Sequence, residues 1–163
     1  MLKKILSPSS CAECRVCCGF DREDVWEIPV ISKELADYIK SAVNPDIRLD
    51  EYKDGYKFHM DFNDGEELSM CPMLSDKGCI LGDNKPFDCR VWPMRVMRLS
   101  DKLVGITVSP VCGTVSALPL SRLSEFVLGE DGLAEKMFDY AEKNPEIIKP
   151  YIDGYPILKL KEL

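Results

Sequence analysis

The chain has 163 residues, 45% hydrophobic and 30% charged, with a formal net charge of −7. That is the size of one ordinary domain with a core of its own, and the composition is that of a globular protein, not a disordered one. The acidic balance argues against a general nucleic-acid binder and against docking on anionic lipid, both of which need a basic face. No apolar run reaches the length of about 18 residues needed to span a membrane. The opening Met1-Leu-Lys-Lys-Ile-Leu-Ser-Pro8 lacks the apolar stretch and small-residue cleavage site of a secretory signal, so the expected compartment is the cytoplasm.

In chain order, Cys11-Ala-Glu-Cys14-Arg-Val-Cys17-Cys18 comes first, with four thiols in eight residues. Residues 19–30 read as extended around Val25-Trp26-Glu27-Ile28. Ser32 is a natural N-cap for a helix over 32–43 that places Leu35, Ile39 and Val43 on one face, ended by Asn44-Pro45. The Asp-Gly pairs at 54–55 and 64–65 bracket Tyr56–Phe62, whose alternation predicts a strand in a meander with a further strand running into Cys71. Residues 71–94 are dense in turn signals, among them Cys71-Pro72, Gly78, Gly82-Asp-Asn84 and Lys85-Pro86. A hairpin over 95–99 and 103–109 turns at Ser100-Asp101-Lys102. Helices follow over 120–128, 132–143 and 145–152, and Ile157–Leu160 reads as a short strand. The expected class is α+β: a small antiparallel sheet, a cysteine-rich loop layer and a helical C-terminal third, about 118–153, in a single domain.

The eight cysteines stand at 11, 14, 17, 18, 71, 79, 89 and 112. A disulfide scaffold is the alternative for an even count. The absence of a signal, the chain length and the tight spacing weigh against it, since clustered thiols in a reducing compartment more often bind metal. Thiolates are soft donors that select zinc, copper(I) or iron–sulfur clusters. Cys11, Cys14 and Cys17 fall at steps of three, a spacing that suits corners of a 4Fe–4S cube closed by a distant fourth cysteine; zinc more often takes two ligands from each of two knuckles. Adjacent side chains diverge, by about 100° in a helix, so Cys17 and Cys18 are expected to serve different atoms or different centres. Eight thiols suffice for two complete sets of four, and one centre plus structural or redox-active thiols stays open.

The order of these residues resembles the CxxCxxCC cysteine-cluster family, described as a zinc- or iron-chelating domain and including YkgJ-type proteins and the flagellin lysine N-methylase FliB. Cys11–Cys18 is similar to its opening motif, Cys71-Pro-Met-Leu74 to its Cys-Pro-hydrophobic-Leu step, and Cys79-Ile80 to its Cys-Ile-Tyr step, with Leu81 in place of Tyr. Lys85-Pro86-Phe-Asp-Cys89-Arg90-Val-Trp92-Pro93 is similar to Arg-Pro-x-x-Cys-Arg-x-aromatic-Pro, with Lys85 for the first Arg, and Ser109-Pro-Val-Cys112-Gly113 to the last cysteine step. The resemblance covers residues 11–113 and implies a metal-chelating, iron–sulfur domain; all eight cysteines are the candidate ligands. FliB-like methylation of a protein would imply S-adenosylmethionine, but no Gly-x-Gly-x-x-Gly loop occurs.

Around the ligands, Arg90 and Lys85 are the candidates to offset thiolate charge and tune a bound cluster, and Arg15 is a weaker one. Trp92-Pro93 is expected to shield the site. His59, the sole histidine, is read as structural, and Met70, Met73, Met94 and Met97 as core filling. The functional expectation is a cytoplasmic iron–sulfur protein with one or two 4Fe–4S clusters, serving electron transfer or cluster-assisted catalysis on a protein substrate or with a redox partner. It would be either an iron–sulfur oxidoreductase or a FliB-like methyltransferase if it is an enzyme at all. The rival is a non-enzymatic zinc protein in which thiolate sites hold loops of an interaction module. Metal delivery or storage ranks below both, because ligands scattered along the chain couple binding to folding.

Overall fold

The computed structural model of the chain describes residues 4–23, 25–129 and 132–163. The fold is α+β, as expected. It divides into two compact units, residues 7–90 and residues 91–163 together with the N-terminal segment up to Leu6. Among the described residues no helix is long and apolar enough to cross a membrane. Asp24, within the stretch expected to be extended, lies outside the described residues, as do residues 1–3.

The 7–90 unit begins with helix α1 (Pro8–Cys14) and a single 3-10 turn over Val16–Cys18. Strand β1 (Gly19–Asp21), a 3-10 turn at Val25–Glu27 and β2 (Val30–Ile31) follow, so the 19–30 stretch is extended only in two short pieces. Ser32 caps α2 (Lys33–Tyr38) as predicted, its hydroxyl accepting from the Leu35 amide at 3.2 Å. The helix runs on as a π turn over Ile39–Val43 and stops at Asn44.

Strands β3 (Leu49–Tyr52) and β4 (Gly55–Phe58) form a hairpin whose two-residue turn is Lys53-Asp54, with Lys53 at φ 50°. Gly55 is therefore not the turn residue its Asp-Gly context suggests; it opens β4. A Cβ there would stand 2.4 Å from the Ile31 carbonyl oxygen, so glycine lets β2 pair closely with β4. The meander is also corrected. The sheet order is β2-β4-β3, and β5 (Leu68–Met70) leaves it to pair antiparallel with β1. A small hairpin, β6 (Leu74–Ser75) with β7 (Gly78–Cys79), and helix α3 (Phe87–Val91) complete the region predicted as loops. The core packs Phe20, Ile31, Ile39, Phe58, Met73 and Leu81, with Cys71 and Cys79 against its side.

In the 91–163 unit, β8 (Met94–Ser100) and β9 (Leu103–Val108) form the predicted hairpin, turning at Asp101-Lys102. After the short α4 (Gly113–Ser116) come α5 (Leu120–Gly129) and α6 (Leu133–Lys143), which bury Leu123, Val127, Leu133, Met137 and Phe138. The third predicted helix does not form. Residues 145–147 make one 3-10 turn, then β10 (Lys149–Pro150) pairs parallel with β8, and the Tyr151 amide donates to the Arg98 carbonyl at 2.8 Å. Strand β11 (Ile157–Glu162) closes the sheet in the order β10-β8-β9-β11.

Replacing Gly55 by Ala should destabilise the protein by about 1–3 kcal/mol, the range for forced overpacking, because backbone blocks the new methyl group. Gly129→Ala, with nothing within 4 Å of the added carbon, should be neutral or slightly stabilising. Urea denaturation of both variants measures the contrast.

Candidate metal centre

All eight cysteines are free thiols, and the chain holds no disulfide. Their placement begins at Ser7, whose hydroxyl accepts from the Ser10 amide at 3.1 Å and caps α1, the helix that carries Cys11 and Cys14. Arg15 ends that helix in the left-handed conformation, φ 56°, with its amide bonded to the Cys11 carbonyl. The chain thereby turns sharply into the 3-10 turn of Cys17 and Cys18. The Arg15 guanidinium donates to the carbonyls of Ala12 at 2.8 Å and Asp76 at 3.3 Å and stands 3.8 Å from the Asp76 carboxylate. So exposed an ion pair is worth at most about 1 kcal/mol. Its effect is positional: it joins the first cysteine motif to the β6–β7 turn.

Gly78 serves the same junction. It sits at φ +97°, and a Cβ on it would lie 3.3 Å from that of Ala12, so α1 rests close against the hairpin. The Cys71 amide donates to the Cys18 carbonyl at 2.7 Å, extending the β1–β5 pairing by one step. The Leu74 amide donates to the Cys71 carbonyl at 2.9 Å, and Cys79 stands opposite Leu74 in the hairpin register. Cys89 rides on α3, whose first turn is closed by the Arg90 amide donating to the Pro86 carbonyl at 3.1 Å.

Among the described residues, no three Cys, His, Asp or Glu side chains converge tightly enough to enclose a single ion. Four thiols nevertheless form a complete electrostatic set. Cys18, Cys71, Cys79 and Cys89 each lie within reach of the charge of the other three. Cys71 is pushed up to about 12, by burial first and then by Cys18 and Cys79, against a hydrogen bond from the Met73 amide. Cys79 is raised by burial, partly offset by the Leu81 and Gly82 amides and the Lys85 ammonium. Cys89 is raised well above an ordinary thiol by burial, then by Asp88 and the other three sulfurs.

Cys17 borders this quartet. It shares a hydrogen bond with Cys18, which holds Cys17 protonated and lowers Cys18 to about 7; Lys85 also lowers Cys18. Cys17 is exposed, so the hydrogen bond decides its direction more than burial does. The thiolate of the pair belongs on Cys18, because the cation stands on that side while Cys17 faces Cys11 and Cys89. The adjacent side chains thus meet in a hydrogen bond, where divergence was expected.

Of the other predicted residues, Cys14 is exposed at the end of α1, and Cys112 lies in the 91–163 unit, at the start of α4. Lys85 reaches the thiols. Arg90 is exposed, with its guanidinium 5.7 Å from the Phe87 ring centroid. Trp92 belongs to the 91–163 unit, half-buried beneath the Arg95 guanidinium at 4.5 Å. His59 places Nδ1 2.8 Å from Asp50 and Nε2 3.6 Å from Asp61, which agrees with a structural role. Met73, Met94 and Met97 are buried, but Met70 is exposed, against expectation. What sequence reading missed is the grouping: Cys18 joins three cysteines from 71–89, and no spacing rule within the first motif signals that.

Soft donors from four chain segments, an apolar wall at Cys71 and Cys79 and one nearby ammonium give the donor chemistry, but not the closed geometry, of a thiolate-held metal centre. No family model, curated protein or solved structure matches the chain.

Lys85→Met should raise the Cys18 thiol and slow its alkylation in reduced, metal-free protein at neutral pH several-fold. Lys102→Met, in the β8–β9 turn, should leave that rate unchanged. Mass-spectrometric peptide mapping of time-resolved alkylation reads both.

Proposed function

We propose that the chain is a metal-binding protein whose centre is held by Cys18, Cys71, Cys79 and Cys89, with Cys11 and Cys17 at its border. The favoured group is an iron–sulfur cluster, 4Fe–4S in type, and the favoured role is electron transfer or cluster-assisted catalysis. The supporting observation is the quartet itself: four sulfurs from separate segments, each within reach of the charges of the other three. Such a group would supply one-electron chemistry or, where an iron keeps an open position, substrate binding.

The residues around it have definable tasks. The amides of Met73, Leu81 and Gly82 donate to the sulfurs of Cys71 and Cys79, the kind of contact that sets a reduction potential. Lys85 offsets thiolate charge, whereas Arg90, one residue beyond Cys89, is exposed with its guanidinium over the Phe87 ring. The hydrophobic core behind Cys71 and Cys79 limits water on that side. Free thiols in this number suit a reducing compartment, and the cytoplasm is the proposed location.

A second reading, a structural zinc site, is favoured by the number of sulfurs in the quartet, since four thiolates complete a tetrahedral shell. Methyl transfer draws on the sequence resemblance alone.

Anaerobic purification followed by iron, sulfide and zinc analysis tests both. The iron–sulfur reading expects a brown protein with iron and acid-labile sulfide in equal amounts. Ser at position 18, 71, 79 or 89 should remove most of the metal, and Cys14→Ser or Cys112→Ser should retain it. Stoichiometric zinc without iron or sulfide leaves the zinc reading standing. Loss at Cys14→Ser or Cys112→Ser as large as at the quartet contradicts the assignment of ligands.

A further inference from the structure

Beside the thiols lies a surface whose polarity is inverted. In β5 the buried residue is Ser69, 7% exposed, while its neighbours Leu68 and Met70 point outward and are 56% and 43% exposed. The register sets Gly19 opposite Met70 and Asp21 opposite Leu68, with Phe20 buried behind them. A Cβ on Gly19 would meet the Leu68 side chain at 3.3 Å and the Met70 sulfur at 3.4 Å, so these residues form one continuous apolar step without a side chain at its centre. Val16, 51% exposed, lies two residues before Cys18 at the same end of β1. A half-buried strand ordinarily puts its apolar residues inward. An outward Leu and Met around a glycine is the anatomy of a contact centre, not of a solvated face.

Carboxylates ring this step. Asp21, Glu23, Glu66 and Glu67 are exposed, and among the described residues none of them takes part in an ion pair. The adjacent cation, Arg22, makes no ion pair with them among the described residues. Its guanidinium lies 5.1 Å from the Phe62 ring centroid and donates to the carbonyls of Asn63 at 3.1 Å and Glu66 at 3.0 Å. The ribbon thus presents an apolar centre with a negative rim, in a chain that is acidic overall. A second copy of this chain and an anionic membrane would both be repelled; a basic surface would be drawn in.

We propose that the outer face of the β1–β5 ribbon docks a protein partner through a segment that carries an apolar side chain flanked by lysine or arginine. Cys18 directly precedes β1 and Cys71 directly follows β5, joined by the 2.7 Å hydrogen bond, so the docked segment lies within one residue of two quartet thiols. The inference rests on the ribbon and not on the metal, and it stands whichever group the thiols hold.

The test is titration of the full-length protein with a synthetic peptide of alternating lysine and leucine, followed by fluorescence anisotropy and NMR amide shifts. Saturable binding that weakens with salt, with shifts centred on residues 16–21 and 66–70, is the expected result. The double variant L68S/M70S should weaken binding tenfold or more, on the order of 1.4 kcal/mol. Asp21→Lys with Glu67→Lys should do the same and flatten the salt dependence, whereas Asp153→Lys, an exposed carboxylate in the other unit, should change little. A matching glutamate–leucine peptide should not bind. No saturable binding, equal loss in the Asp153 variant, or shifts elsewhere would overturn the proposal. So would a dimer in light scattering that L68S/M70S disperses, which would assign the face to a second copy.

Discussion

Four sulfurs in one half-buried place, with Cys18 poised to ionise and Cys71, Cys79 and Cys89 held protonated by burial and by their neighbours, are the constraint on which the rest of the 7–90 unit depends. Burial is the first cause that raises Cys71, Cys79 and Cys89, and the neighbouring sulfurs, Cys18 among them, add to it. One ammonium, Lys85, lowers Cys18 and Cys79 but cannot offset four thiolates. A multivalent cation or a cationic cluster core among the sulfurs would reverse the balance, since metal coordination deprotonates thiols outright. Without such a group the raised thiols stay protonated and neutral, and Cys18 alone of the four is lowered towards neutral pH.

The backbone is shaped to bring these sulfurs together. Arg15 takes a left-handed conformation, Gly78 takes another and leaves room for Ala12, and the Cys71 amide reaches the Cys18 carbonyl. These local devices join three segments that share no long regular element. That explains why short strands and single turns dominate residues 7–31 and 68–91: loops can aim a ligand without a helix or strand dictating its direction. The same ribbon that fastens Cys18 to Cys71 turns Leu68 and Met70 outward, so the surface beside the thiols follows from the register that brings them together.

Local signals in the sequence were legible where local forces decide. Ser32 caps its helix, Ser100-Asp101-Lys102 turns its hairpin, and Leu133, Met137 and Phe138 line a helix face. Long-range pairing overrode them elsewhere. Gly55 reads as a turn residue but answers to the Ile31 carbonyl, visible only once β2 lies against β4. Residues 149–150 read as helix but join the edge of a sheet, where Pro150, lacking an amide, is tolerated. The ligand candidates were legible as residue types; which of them share a site was not, because that depends on β5 pairing with β1 across about fifty residues, a separation over which sequence carries no local signal.

X-ray absorption at the metal edge of anaerobically prepared protein addresses the central claim most directly. The account predicts a first shell of sulfur alone, at roughly 2.3 Å, whichever of iron and zinc is bound. A shell dominated by nitrogen or oxygen, or protein that binds neither metal when reduced, would contradict it.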